Sequence, residues 1–228
     1  MKIKYLRESQ IETAAFNLLV AYGQKYGEIS KPPIPVDAIL ESHLCLNFSF
    51  DDLPKLFNKP DVLGATWVKK RKICIDQSLD PTEHPSAEGR FRFTVAHELG
   101  HWILHKSQIE EVSGGLFETD TKPSIVCRTQ SAKEPIEWQA DAFAGFLLMP
   151  KELVHNTWKN IFGSLEPYIA VNEIADLSAR WGLAEDSHPT VKVTKKLAQI
   201  FNVSGQSMQI RLIGLGLVLT KQPEKGLF

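Results

Sequence analysis

One helix-like segment constrains the fold of this chain more than any other feature. Between Gly89 and His105, apolar residues point in nearly every direction around a helix, so the segment must be buried on all sides. Two histidines and a glutamate lie close together inside it, namely His97, Glu98 and His101. A buried carboxylate without a partner is costly, and a metal ion with its bound water would supply one. The chain must therefore surround this helix with other elements and give its polar residues a shared partner.

The three polar residues form the pattern H-E-x-x-H. Histidines four residues apart lie on one face of a helix, one turn apart, where two imidazoles can converge on one cation. Neutral imidazole nitrogen binds zinc, and a catalytic zinc site has three protein ligands and leaves the fourth position to water. We expect His97 and His101 to bind one zinc ion and Glu98 to take a proton from the water. The alternative is a buried histidine pair that is hydrogen-bonded to carbonyl groups.

A third ligand has to come from outside this helix. A second helix is predicted over residues 135–149, and it carries Glu137 and, four residues later on the same face, Asp141. The interpretation is a gluzincin arrangement, in which Glu137 completes the ligand set and Asp141 accepts a hydrogen bond from the outer N–H of His97. The alternative for Glu137 is an exposed first-turn carboxylate that the helix dipole favours.

Other residues compete for the third ligand position. They are His105, Glu134 and the pair Glu110–Glu111. Three histidines in line on a straight helix span about 12 Å, from a rise of about 1.5 Å per residue, so we expect His105 to support the site or the fold. The metzincin class is excluded, because it needs a glycine and a histidine where this chain has Leu104 and Ser107.

Two segments together resemble a known family, the ImmA/IrrE zinc metallopeptidases. The resemblance lies in Phe93-Thr-Val-Ala-His-Glu-Leu-Gly-His and in Glu137-Trp-Gln-Ala-Asp-Ala-Phe-Ala-Gly-Phe-Leu-Leu-Met-Pro150, and it covers residues 10 to 157 well. It implies an endopeptidase with one zinc ion that cleaves a helix-turn-helix repressor, and so derepresses genes of a mobile element or a stress response. Family members often have a glutamate and an asparagine where this chain has Gln139 and Asp141. Neither departure removes a ligand.

The remaining pattern predicts an α+β fold. The expected elements are helices at 11–26 and 36–42, strands at 45–50, 62–68 and 72–76 with a hairpin around 69–71, a strand-like run at 124–128, and helices at 171–181, 190–201 and 204–215. We expect a zincin-like domain over residues 1–157, with a small antiparallel sheet beside the active-site helix. Residues 158–228 are expected to form a helical segment packed on it.

The C-terminal helices have the spacing of a helix-turn-helix. The whole chain has a net charge of −1, but the stretch from Thr190 to Phe228 carries about +5. Positive charge favours contact with phosphates, whereas apolar residues such as Leu197 and Met208 favour a role in the core. We expect these helices to serve the peptidase. The rival function is a DNA-binding or partner-binding regulator with a structural or vestigial zinc site, and the intact Glu98 argues against a vestigial one.

Composition is that of a globular chain, with 43% apolar and 23% charged residues. The longest apolar run, residues 212–219, contains two glycines and is far shorter than the roughly 20 residues of a membrane helix, so no membrane contact is expected. The cysteines, Cys45, Cys74 and Cys127, form no CxxC pair, and the N-terminus has no signal-peptide core. Buried thiols in the cytoplasm are the expectation.

Overall fold

The computed structural model describes residues 4–112, 125–128, 134–181 and 189–222. The chain forms two compact units, Met1–Leu148 and Met149–Phe228. The boundary expected after residue 157 lies inside a helix of the second unit, and a functional division there stays a prediction. Across the described ranges, no helix is both long enough and apolar enough to cross a membrane.

The first unit mixes helices and strands as an α+β fold requires. Its described elements are α1 (Glu8–Tyr26), α2 (Val36–Ala38), a π-helical turn (Ile39–His43), β1 (Asn47–Asp51), α3 (Leu53–Phe57), β2 (Val62–Trp67), β3 (Lys72–Asp76), 3₁₀ turns (Gln77–Leu79 and Pro85–Ala87), α4 (Glu88–Gly100), a π-helical turn (His101–His105), α5 (Lys106–Val112), β4 (Ile125–Arg128) and α6 (Pro135–Leu148). The helices predicted from residues 11, 36, 89 and 135 all form. The short helix α3 was not predicted.

The sheet of this unit is mixed. Four described strands lie in the order β1-β3-β2-β4, and β2 pairs antiparallel with both β3 and β4, which confirms the hairpin. β1 instead pairs in parallel with β3, with Asn47 opposite Lys72. The expectation of a wholly antiparallel sheet is wrong for this pair. After β1 the chain passes through α3 and enters β2, which is not a neighbour of β1 in the sheet. The hairpin then reverses the chain, so β3 lies between β1 and β2 and runs in the same direction as β1.

The helix α4 is the buried element that the sequence predicted. Its side chains Phe91, Val95 and Leu99 are buried, and the helix contacts β2, β3 and α6. Gly100 lies so close to α6 that a Cβ atom there would be 3.0 Å from Cα of Ala140. The absence of a side chain at Gly100 therefore lets α6 approach, and Glu137 lies one turn before this contact.

The second unit contains a helix-turn-helix of the predicted spacing. Its described elements are α7 (Lys151–Phe162), β5 (Tyr168–Ile169), α8 (Val171–Trp181), α9 (Lys192–Phe201), α10 (Gly205–Gly214) and β6 (Val218–Leu219), with β5 and β6 paired in parallel. Asn202, with a φ of 53°, ends α9, and the Ser204 side chain caps α10 by accepting a hydrogen bond from the backbone N–H of Ser207. The buried Arg211 donates from Nε to the backbone oxygen of Met149 at 2.9 Å.

The cysteines differ from the expectation in one case. Cys74 is buried in β3, as predicted. Cys45 is exposed, because it lies in the turn before β1 with a φ of 51°. The side chain of Cys127 lies outside the described residues.

Candidate metal centre

Three side chains converge between α4 and α6. His97 lies near the end of α4 and His101 begins the π-helical turn that follows, and their Nε2 atoms are 2.9 Å apart. Glu137, in the first turn of α6, places Oε2 3.2 Å from Nε2 of His97 and Oε1 3.5 Å from Nε2 of His101. One ligand atom from each of the three residues lies within 4.8 Å of the others. This spacing allows three donors to share one ion.

The three converging residues are buried, with exposed fractions of 0% for His101, 3% for His97 and 4% for Glu137. Glu137 is therefore not the exposed first-turn carboxylate that was its alternative. In the part of the chain that the structure describes, no other group of three metal-ligating side chains was found. The residues predicted as ligands thus lie together, and their role as ligands stays a prediction.

The competing candidates lie elsewhere. Glu134 is exposed and is not part of the cluster. Glu110 is exposed on α5, where it forms an ion pair within its own helix at 3.8 Å, and the side chain of Glu111 is outside the described residues. His105 approaches the far side of His101, with 3.2 Å between their Nδ1 atoms, and not the side that faces Glu137.

Asp141 lies one turn after Glu137 on α6. Its Oδ1 is 2.8 Å from Nδ1 of His97, and its side chain is 40% exposed. A carboxylate at this distance accepts a hydrogen bond from Nδ1–H of His97. The geometry is that of the predicted partner of His97.

Glu98 faces the sheet. It is fully buried, and the hydroxyl of Thr66 on β2 donates to its Oε2 at 2.5 Å. Its other oxygen, Oε1, has no hydrogen-bond partner among the described residues and lies against Gly64. Burial raises the pKa of Glu98 to about 7, although the charge of His97 and the hydrogen bond from Thr66 act in the opposite direction.

Comparison of the sequence with models of known families identifies the family of this chain. Residues 55–212 match the family model Peptidase_M78, described as an IrrE N-terminal-like domain. The chain belongs to the Peptidase_M78 family. The matched range contains every residue of the metal cluster, and the family is one of peptidases, which confirms the family resemblance read from the sequence.

Other comparisons with this M78 chain are more distant. A solved Mycobacterium tuberculosis transcriptional regulator is similar with a TM-score of 0.46 and 16% identity, over 98% of this chain and 50% of that chain. The M78 chain thus spans half the length of that protein. A search of curated protein sequences gave no significant match.

The side chains of the M78 site fit a divalent metal ion. Burial lowers the pKa of His101 to about 4. Burial by itself would raise the pKa of Glu137, but hydrogen bonds from His101 and His97 outweigh it and lower that pKa to about 2. At neutral pH His101 therefore offers a neutral imidazole and Glu137 a carboxylate, the forms that bind zinc. The Oε1 atom of Glu98 is buried against Gly64 and is an acceptor that no described residue satisfies.

Sequence reasoning missed Thr66 and Gly64. A glycine inside a strand pattern often marks close approach of another group, so Gly64 carried a usable signal. Thr66 carried none, because a threonine is common in any strand. The departure at Gln139 also has a structural role in this M78 domain. Its side chain accepts a hydrogen bond from the backbone N–H of Leu6 at 3.1 Å and donates to the backbone oxygen of Pro135 at 3.1 Å.

Proposed function

We propose that this M78 chain is a zinc-dependent endopeptidase in which His97, His101 and Glu137 hold one ion. The observation that carries the proposal is the buried convergence of two imidazoles and a carboxylate within 4.8 Å in a chain of a peptidase family. Two nitrogen ligands and one carboxylate, with a further position left to water, are typical of catalytic zinc. A bound zinc ion would polarise the scissile carbonyl and acidify the attacking water.

Glu98 is the general base of the proposed reaction. Its Oε2 is held by the hydroxyl of Thr66, so Oε1 is the oxygen left to accept the proton of the attacking water. A base is most effective when its pKa lies near the working pH, and the pKa of Glu98 is raised to about 7. The same carboxyl group can then deliver the proton to the leaving amine, which completes cleavage of the peptide bond.

Asp141 orients His97 and does not itself hold the ion. Its Oδ1 lies 2.8 Å from the outer nitrogen of His97, on the side away from Glu137. Partners of this kind fix the tautomer and ring orientation of a ligand and increase its basicity.

The proposed substrate is a helix-turn-helix repressor, whose cleavage would derepress its genes. Membership of the M78 family, with its resemblance to the ImmA/IrrE peptidases, supports this substrate class. The proposed compartment is the cytoplasm, where such a repressor acts.

The buried state of Arg211 disfavours the rival function, a DNA-binding regulator. Arg211 is the one cation of α10, and its guanidinium is buried and donates to the backbone oxygen of Met149. A recognition helix needs polar or basic side chains that reach bases and phosphates. The remaining polar residues near the start of α10, such as Gln206, add no charge.

The test is cleavage of the repressor encoded beside the gene. Purified zinc-loaded protein is mixed with this repressor, and fragments are identified by mass spectrometry. Discrete fragments are expected with the wild type and none with Glu98→Gln, which should keep its zinc by elemental analysis because the side chain is not a ligand. An intact repressor with zinc-loaded wild type contradicts the proposed substrate. A Glu98→Gln variant that cleaves at the wild-type rate contradicts the role of Glu98.

A further inference from the structure

His105 lies against the outer nitrogen of His101. The two residues are the ends of the π-helical turn, a type of turn that is frequent at functional sites. Their Nδ1 atoms are 3.2 Å apart and both side chains are fully buried, while Nε2 of His101 faces the ligand cluster. We propose that His105 is the positioning residue of His101, and that it holds the ring of His101 by accepting a hydrogen bond from Nδ1.

The direction in the metal-loaded protein follows from the chemistry of a ligand. This step rests on the proposed function, in which Nε2 of His101 binds the ion. A ligating nitrogen carries no hydrogen, so the hydrogen of neutral His101 is on Nδ1. The acceptor in contact with it is Nδ1 of His105. His101 therefore donates and His105 accepts. His105 holds the ring of His101 in the same way as Asp141 holds the ring of His97.

Burial explains why this partner is an imidazole and not a second carboxylate. The side chain of Asp141 is 40% exposed, so its charge keeps contact with water. His105 is fully buried, and a carboxylate in its place would lose its hydration. An imidazole can accept a hydrogen bond at Nδ1 without carrying a negative charge into the buried site.

The proposed role requires an acceptor atom at the position of Nδ1 of His105. A residue that places an oxygen there should therefore support His101 better than a residue that does not.

Three variants separate positioning from packing. The Oδ1 atom of asparagine can occupy the position of histidine Nδ1, whereas the amide of glutamine lies one methylene further out and leucine offers no acceptor. Zinc affinity is measured by competition with a chromophoric chelator, and folding by thermal unfolding of the metal-free proteins. We expect His105→Leu and His105→Gln to bind zinc about 10–100-fold more weakly than the wild type. His105→Asn should bind zinc more tightly than either of these variants, because its Oδ1 can accept the hydrogen bond from His101.

Equal affinities of the Asn and Gln variants, or wild-type affinity in His105→Leu, would overturn the positioning role. If His105→Leu fails to fold, the Asn and Gln pair decides the question. The zinc affinity of the wild type separates this proposal from the one on which it rests. A wild type that binds no zinc contradicts the proposed function together with this inference, whereas a wild type that binds zinc regardless of residue 105 contradicts this inference alone.

The hydrogen itself can be located in the wild type by ¹⁵N NMR of the histidine side chains. A coupling across the hydrogen bond between Nδ1 of His101 and Nδ1 of His105 is expected after one equivalent of zinc is added, with the hydrogen attached to His101. No coupling in the zinc-loaded sample, or a hydrogen attached to Nδ1 of His105, would overturn the positioning role.

Discussion

Gly64 on β2 lies directly against the carboxylate of Glu98, and a Cβ atom at residue 64 would overlap Oε1 and lie 3.0 Å from Cδ. Gly64→Ala should therefore displace the proposed base without touching a ligand. A misplacement of about 1 Å can cost about 100-fold in rate, so we expect a loss of that order in kcat for repressor cleavage with zinc content unchanged. Gly214→Ala is the matched control, because a Cβ atom there meets no other atom within 4 Å. Wild-type cleavage by Gly64→Ala would contradict the assignment.

Glu137 and Asp141 should differ in their effect on metal binding. Glu137→Ala removes a proposed ligand and should abolish stoichiometric zinc binding. Asp141→Ala removes only the partner of His97 and should weaken zinc by about 10–100-fold. Glu134→Ala is the matched control, since this exposed carboxylate lies outside the cluster and should leave affinity unchanged. Titration against a competing chelator gives the three zinc affinities. A lower zinc affinity in Asp141→Ala than in Glu137→Ala would contradict the assigned roles of the two residues.

The metal-free protein should lose stability in acid in two stages. The pKa values of His101 and His105 are lowered from 6.5 to about 4 and about 3, so below pH 6.5 the unfolded state binds protons that the folded state does not, and the free energy of unfolding falls. Glu98, with a pKa raised from 4.5 to about 7, is protonated first in the folded state and offsets part of this loss down to pH 4.5. Below pH 4.5 the offset ends, and Glu137, with a pKa lowered to about 2, adds a further loss.

Denaturant unfolding in the presence of a chelator, from about pH 7.5 to about pH 3.5, measures this profile. The free energy of unfolding should decline slowly to about pH 4.5 and steeply below it. Glu137→Gln should flatten the steep part, because this variant has no carboxylate to protonate. A steep decline already between about pH 6.5 and 5.5 would show that the histidines are not offset as described.

The local elements of the active site could be predicted from sequence because their signals are local. The all-round apolar pattern of α4 and the four-residue spacing of His97 and His101 are properties of one helix. The position of Glu137 could be inferred because chemistry demanded a third ligand and few carboxylates were available. A glycine inside a buried helix favours the close approach of another backbone, and the structure places Ala140 beside Gly100.

Long-range relationships could not be predicted in the same way. The parallel pairing of β1 with β3 depends on where α3 returns the chain, and no residue of Asn47–Asp51 encodes it. The helix α7 was not predicted, and its N-cap is Pro150, which follows the end of α6. The contact of Arg211 with Met149 joins residues far apart in sequence, so the burial of the α10 cation could not be predicted.

The buried state of Arg211 leads to a prediction for DNA. Affinity for duplex DNA should stay in the nonspecific range of roughly 10⁻⁴–10⁻⁶ M at physiological salt, without sequence preference. Arg211→Ala should lower thermal stability, since the buried guanidinium donates to Met149, and Gln206→Ala on the exposed face of α10 is the control that should not. Fluorescence anisotropy with labelled duplexes gives the affinity. Sequence-dependent binding in the nanomolar range would support the regulator instead.

The location of zinc tests the central claim most directly. A crystal structure of the zinc-loaded protein, with an anomalous difference map at the zinc edge, shows the ion and its ligands. We predict one strong peak, with Nε2 of His97, Nε2 of His101 and a carboxylate oxygen of Glu137 within about 2.0–2.3 Å. No peak at this cluster, or a peak in which His105, Glu134 or Glu110 takes the place of Glu137, would contradict the account.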